Sequence, residues 1–209
     1  MGIVINHEAR RRAIITQSVT LFAEQGYGGV TYQKIADSCG IARTTLYKYF
    51  HSKRQIFNVA IWEVANLLSG RFAEILASRE GVTVRLDRLL HAVLRLLFEQ
   101  RVILTVILDY ILAAQRGGQD LSRIIASHTI GLRRILHRLV VEGVRNGELQ
   151  TVNTRLTTEQ LYANLEAAVL RLTVSQNADY EELSALLRQT LETLKRPGAA
   201  APSRPAAEE

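Results

Sequence analysis

The stretch Thr31–Phe50 reads T-Y-Q-K-I-A-D-S-C-G-I-A-R-T-T-L-Y-K-Y-F. Its spacing predicts two short helices, about 32–39 and 43–50, meeting at Gly40. Gly40 supplies the left-handed backbone that a turn of about three or four residues needs. Ala36, one turn earlier, is small enough for the second helix to cross closely, and Ile35, Cys39, Ile41 and Leu46 provide an apolar lock between the two. This is the steric recipe of a helix-turn-helix. The pattern alone is degenerate, and the second helix sharpens it. Leu46 and Phe50, four apart, point inward, which leaves Arg43, Thr44, Thr45, Tyr47, Lys48 and Tyr49 on the outward side. Arg and Lys reach guanine edges or phosphates, Thr methyls meet thymine methyls, and Tyr hydroxyls bond phosphate oxygens. The competing reading, an ordinary polar surface with Tyr47 and Tyr49 half-buried, explains this composition less well. Cys39 reads as a small residue of the helix-turn-helix core rather than a redox group.

The charge around this stretch points the same way. The chain has 209 residues and a net charge of +6. Residues 1–54 hold 8 Lys+Arg against 3 acids, and the remaining residues are nearly balanced. A compact basic head on a neutral body suits a polyanion, either nucleic acid or an anionic surface. A single Cys excludes a disulfide framework and a Cys-built zinc site. The longest apolar run, Val102 to Ala114, is short of a membrane span and contains Asp109. The N-terminus shows no signal-peptide pattern, so a reduced, cytoplasmic location is expected.

Apolar residues recur at helical spacing between Gly and Asn turn signals, with no convincing alternation and no internal repeat, so the fold class expected is all-α. About nine helices are predicted. The first, about 8–25, buries Ile14, Ser18, Leu21 and Phe22 and ends at Gly26. The fourth runs from the capping pattern at Ser52 to about Ser78. The fifth to seventh span about 82–99, 102–115 and 119–146, the last stopped by Asn146-Gly147. The eighth and ninth open at Thr157 and Asp179, each with a capping residue three positions on (Gln160, Glu182). All three prolines lie within residues 196–209, which read as a disordered Pro/Ala tail.

Taken together, Ile14, Leu21, Phe22, Gly26-Tyr27, Val30-Thr31, Ile35-Ala36, Gly40-Ile41, Leu46-Tyr47, Tyr49-Phe50 and Ser52-Lys53 resemble the N-terminal pattern of the TetR family of bacterial transcription regulators. The resemblance covers about residues 10–57. It implies an N-terminal three-helix helix-turn-helix DNA-binding domain (1–52), a C-terminal helical bundle for effector binding and dimerisation (53–195), and the tail. By position, Thr31 starts the second helix, where its amide and hydroxyl hold a phosphate, and Gln33 faces DNA. Arg43, Thr44, Thr45 and Lys48 take the base-reading positions, with Tyr47, Tyr49 and Lys53 on phosphates. Two positions depart from the pattern: Ala42 stands where a capping Ser is common, and Arg54 where an acid is common.

In the body, the helix over 102–115 is apolar all round, which predicts a central position. Asp109 in its middle then either lines an effector cavity with Tyr110 or pairs with an arginine such as Arg95 or Arg171. His128 reads as a core or interface histidine rather than a ligand. Further effector-lining candidates are Trp62 and Asn66, His91 and Phe98, and Tyr162 and Glu166. The resemblance implies that the last two helices dimerise, through Leu161, Leu165, Ala168 and Leu172 on one and Leu183, Leu187 and Leu191 on the other. The alternative is that these stripes are intramolecular core.

The function expected is a dimeric repressor that places two recognition helices in successive major grooves of a palindromic operator and is released by a small-molecule effector. An activator or an effector-independent regulator is the alternative. Neither a membrane partner nor a cofactor nor a metal is expected. None of the five His residues has a Glu three positions before it, and there is no phosphate loop, H-E-x-x-H or G-x-S-x-G, so an enzyme is not expected.

Overall fold

A computed structural model describes residues 6–67, 69–118, 122–175 and 177–197, with residues 65, 69 and 122–128 described by backbone alone. Among these there are ten α-helices: α1 (His7–Gly29), α2 (Tyr32–Ser38), α3 (Arg43–Tyr47), α4 (Lys53–Asn66), α5 (Ser69–Ala77), α6 (Val82–Glu99), α7 (Arg101–Arg116), α8 (Ser122–Arg145), α9 (Thr154–Val174) and α10 (Tyr180–Leu194). The fold is all-α. The predicted tail falls at 198–209 outside the described residues, as does the side chain of His128.

The helix count differs from the expected nine because the predicted fourth helix is two. It breaks at Leu67, between Asn66 and Gly70, both weak helix formers. The apolar residues on either side of the break also serve different cores. Ile56, Phe57 and Ala60 belong to one compact unit, made of Met1–Leu67 with Gln100–Arg123; Ile75 belongs to the other, Leu68–Glu99 with Ile124–Glu209. Helix α9 starts earlier than expected. Asn153 is its N-cap, its side chain accepting from Leu156 N, and Thr157 is a buried residue of the helix rather than its cap. Asp179 caps α10 as the spacing predicts, accepting from Glu181 N.

In the first unit, α1 packs against α4 and α7 and, with α2 and α3, closes over one core. Ile14, Ser18, Leu21 and Phe22 of α1 are buried, as their spacing requires, and Ser18 Oγ donates to Ile14 O at 2.6 Å. Helix α7 is not buried all round. Ile103 and Val106 are buried and Ile107 and Tyr110 pack on the same core, but Val102 and Leu112 stand exposed. Helix α1, with Phe57 of α4, covers one stripe of α7, and apolar composition on the other stripe does not by itself bury it.

In the second unit, α6 packs against α5, α9 and α10, and α9 against α10. Leu86, Leu89, Leu90 and Leu94 of α6 are fully buried. The chain leaves α8 at Gly147 (φ 75°), and residues 148–150 pair with 194–196 through Gln150 N–H to Leu194 O and Arg196 N–H to Glu148 O, both 3.0 Å. Glu148 also closes the start of α6, its carboxylate accepting from Thr83 N at 3.2 Å. An anion there meets the unsatisfied N–H groups and the positive end of the helix dipole.

Candidate nucleic-acid interface

The turn between α2 and α3 is built from backbone hydrogen bonds. Cys39 ends α2, Gly40 adopts φ 62°, Ile41 N–H donates to Ala36 O at 3.1 Å and Gly40 N–H to Asp37 O at 3.0 Å. These two bonds define a Schellman motif. Ala36, Ile35 and Leu46 are fully buried beneath it, and Cys39 and Ile41 pack against the same core. Burial pushes the Cys39 thiol pKa up, away from the reactive thiolate.

Helix α3 is shorter than expected, because regular α-helix stops at Tyr47 and residues 48–49 form a turn. Its N-cap, Ala42, makes no side-chain hydrogen bond. Buried Leu46 and Phe50 anchor it from within. On its outer side Arg43, Thr44, Tyr47 and Lys48 are exposed and Thr45 is half-buried. Arg43 donates to Tyr47 Oη at 3.2 Å and lies over the Tyr47 and Tyr32 rings, at 5.7 and 5.9 Å to their centroids. Those rings are 4.7 Å apart, and Tyr32 Oη donates to Phe50 O. Tyr32, which sequence reasoning missed, therefore tethers both ends of the α3 segment to α2. Its position directly after the Thr31 cap was the available signal.

The other candidates divide. Thr31 caps α2, its Oγ1 accepting from Lys34 N at 3.2 Å, and remains exposed. Gln33 is exposed and donates to Asp37 at 2.8 Å. Tyr49 is half-buried, with its hydroxyl 3.3 Å from His7 Nδ1. Lys53 does not stand ready for a phosphate. Its ammonium donates to Tyr27 O and Val30 O, both at 2.8 Å, over the Tyr27 ring, and burial holds its pKa down. It closes the loop between α1 and α2.

That loop is held from its other side by Asp109. Asp109 takes a backbone partner: its Oδ2 accepts from Tyr27 N at 2.8 Å, where Gly26 (φ 71°) kinks the end of α1. A backbone N–H released by the kink is the partner, not an arginine. Tyr110 joins Tyr27, Phe22 and Phe57 in an aromatic cluster, with its ring 4.7 Å from Tyr27 and 4.9 Å from Phe57. Burial, then the neighbouring Tyr110, raises the Tyr27 pKa to about 12.

The remaining effector candidates fall in both units. Trp62 is 61% exposed and Asn66 is exposed, both on α4. In the second unit His91 borders a cleft beside α10, Phe98 packs on the Tyr180 ring (5.7 Å), and Tyr162 is buried under Arg133, whose guanidinium lies 3.9 Å from the ring centroid and 3.9 Å from Glu166. The seven expected dimer residues, Leu161, Leu165, Ala168, Leu172, Leu183, Leu187 and Leu191, are at most 5% exposed in the single chain. They meet their neighbours within the bundle, because the apolar stripes of α9 and α10 face each other and α6. Leu156, Leu170, Val174 and Leu186 are exposed large apolar residues of these helices.

The family model for bacterial regulatory proteins of the tetR family matches residues 14–60, which contain the whole helix-turn-helix. Over these residues the chain carries the sequence pattern of the TetR family. Among curated TetR-like relatives, the transcriptional repressor KstR2 of Mycolicibacterium smegmatis is 35% identical over 68 residues, 32% of this chain and 33% of that protein. The transcriptional regulator HbdR of Aromatoleum is 36% identical over 86 residues, 41% of this chain and 36% of that protein. The chain thus spans only about a third of the curated relatives it matches. Solved structures extend the likeness in fold to most of the chain. The ketosteroid regulator KstR2 of Mycobacterium tuberculosis superposes with a TM-score of 0.71 over 90% of this chain and 95% of that one, at 19% identity. FadR of Bacillus subtilis, solved with stearoyl-CoA, gives 0.70 over 88% and 97%, at 25% identity. Among the described residues no helix is long and apolar enough to cross a membrane, and no group of three or more His, Cys, Asp and Glu could hold a metal ion.

Proposed function

We propose that this chain is a TetR-family, sequence-specific DNA-binding transcriptional regulator, a dimeric repressor released from a palindromic operator by a small-molecule effector. The observation that carries the reading is the outer surface of α3: Arg43, Thr44, Tyr47 and Lys48 exposed on a helix whose inner face is fixed by buried Leu46 and Phe50. Residues 1–52 take the DNA-binding role and 53–195 the effector and dimer roles. Arg43, Thr44, Thr45 and Lys48 read bases; Thr31, Gln33, Tyr47 and Tyr49 set register on phosphates; Lys53 positions the α1–α2 loop.

The dimer forms through the outer surface of α9 and α10. In support, exposed Leu170, Val174 and Leu186 accompany an open groove of about 380 Å³ between these helices, bordered by Gln160, Asn164, Ala167 and Arg171. A two-fold dimer suits a palindromic operator, whose half-sites lie about 34 Å apart, one turn of DNA. The stearoyl-CoA in the Bacillus subtilis structure supports a fatty acyl thioester as the first effector class to test.

Selection from a random DNA pool tests the reading. The wild-type protein enriches a palindrome, and a Tyr47→Ala/Lys48→Ala variant does not. A folded wild-type dimer that enriches no sequence, with and without acyl thioester, overturns it.

A further inference from the structure

Three helices of the second unit turn matching faces toward one cleft. Helix α6 contributes Asp87, His91 and Arg95 at successive turns, with Arg88 beside them; α10 contributes Tyr180, Ser184 and Arg188, again one turn apart; α5 contributes Arg71 and Glu74. The cleft is open to solvent and holds about 450 Å³, within the size range of small-molecule sites. Its polar groups are already arranged. His91 Nδ1 lies 2.8 Å from Asp87 O and Nε2 lies 2.8 Å from Ser184 Oγ, which fixes the ring between α6 and α10. The Arg95 guanidinium lies 5.5 Å from the centroid of the Tyr180 ring. Arg88 is paired with Glu80 outside the cleft. Among the described residues, Arg71, Arg95 and Arg188 form no ion pair.

We propose that this cleft binds a small organic di- or triphosphate, with Arg71, Arg95 and Arg188 on the phosphates. The guanidinium fork matches phosphate oxygens, and stacking on Tyr180 limits the freedom Arg95 loses when it binds. Glu74 and Asp87 carry the opposite charge into the same cleft. They disfavour an extended polyanion such as duplex DNA, and they suit a ligand that brings hydroxyl donors with its phosphates, as a sugar phosphate does. The cleft shares no residue with the α3 surface and does not depend on the operator reading. A free nucleotide and the nucleotide portion of a coenzyme share this chemistry.

Calorimetric titration of the full chain with ADP and with coenzyme A, at moderate salt, tests the proposal. We expect saturable binding of one ligand per chain, weakened at least tenfold in an Arg71→Ala/Arg188→Ala variant. An Arg145→Ala/Arg155→Ala variant, which removes the same charge from exposed positions elsewhere, keeps wild-type affinity. Circular dichroism on both variants reads the fold directly. ADP binding as tightly as coenzyme A identifies a free nucleotide; a large preference for coenzyme A identifies the coenzyme. Absence of saturable binding by either ligand, equal weakening in the two variants, or undiminished binding by the Arg71/Arg188 variant overturns the proposal.

Discussion

Asp109 shows how much a single residue depends on what surrounds it. A carboxylate in the middle of an apolar helix needs a partner, and here the partner is the Tyr27 N–H that Gly26 releases at the kink of α1. Lys53 takes two carbonyls of the same loop. The loop that leads into the helix-turn-helix is thus gripped by an anion from α7 and a cation from α4. Asp109→Ala strands the Tyr27 N–H and is expected to cost about 1–3 kcal/mol. Asp109→Asn, which keeps a carbonyl oxygen in place, is expected to cost clearly less. Urea unfolding of the two variants beside the wild type measures both, and equal losses would show that charge rather than the hydrogen bond matters. Sequence alone made Asp109 conspicuous but offered only side chains as partners, since the backbone N–H became available through a left-handed glycine 83 positions away.

At the scale of elements, capping chemistry was the most legible signal. Ser52 caps α4 and Asp179 caps α10 where their spacing places them. Gln55 completes the first cap from one residue further back, its side-chain oxygen accepting from His51 N at 2.6 Å. The α9 start was misplaced because Thr157 and Gln160 imitate a capping box; the residue with its side chain free to turn back is Asn153. The contrast is α3, where Ala42 has the extended backbone of an N-cap (φ −64°, ψ 145°) and no side chain to use it. Ala42→Ser is expected to add a bond to the N–H of Thr44 or Thr45 and raise stability by about 0.5–1 kcal/mol. A higher urea midpoint with unchanged slope is the measurement; an unchanged or lower midpoint would mean that the new hydroxyl is satisfied by water.

The whole molecule raises the question of which apolar residues are left over once the chain has folded. Leucine stripes on α9 and α10 read equally well as dimer interface and as core, and the single chain buries them. Other apolar residues of these helices stand exposed, among them Leu156, Ala167, Leu170, Val174 and Leu186. An Ala167→Arg/Leu186→Arg variant is expected to sediment as a monomer with unchanged helicity and to lose at least tenfold in operator affinity, because one recognition helix cannot span two half-sites. Sedimentation as a dimer would move the interface elsewhere.

Local rules acted over a few residues, and there the sequence by itself determined the outcome. The all-α class, the helix-turn-helix at Gly40, the basic head and most helix ends follow from periodicity, glycine and caps, interactions whose partners lie within about one helical turn. Only the tertiary structure decided what Asp109 and Lys53 bind, why the predicted fourth helix is two, which face of α7 is covered, and which leucines remain exposed. Each of those depends on groups brought together from distant parts of the chain, and periodicity records that a residue is apolar or charged without recording what the fold will set against it.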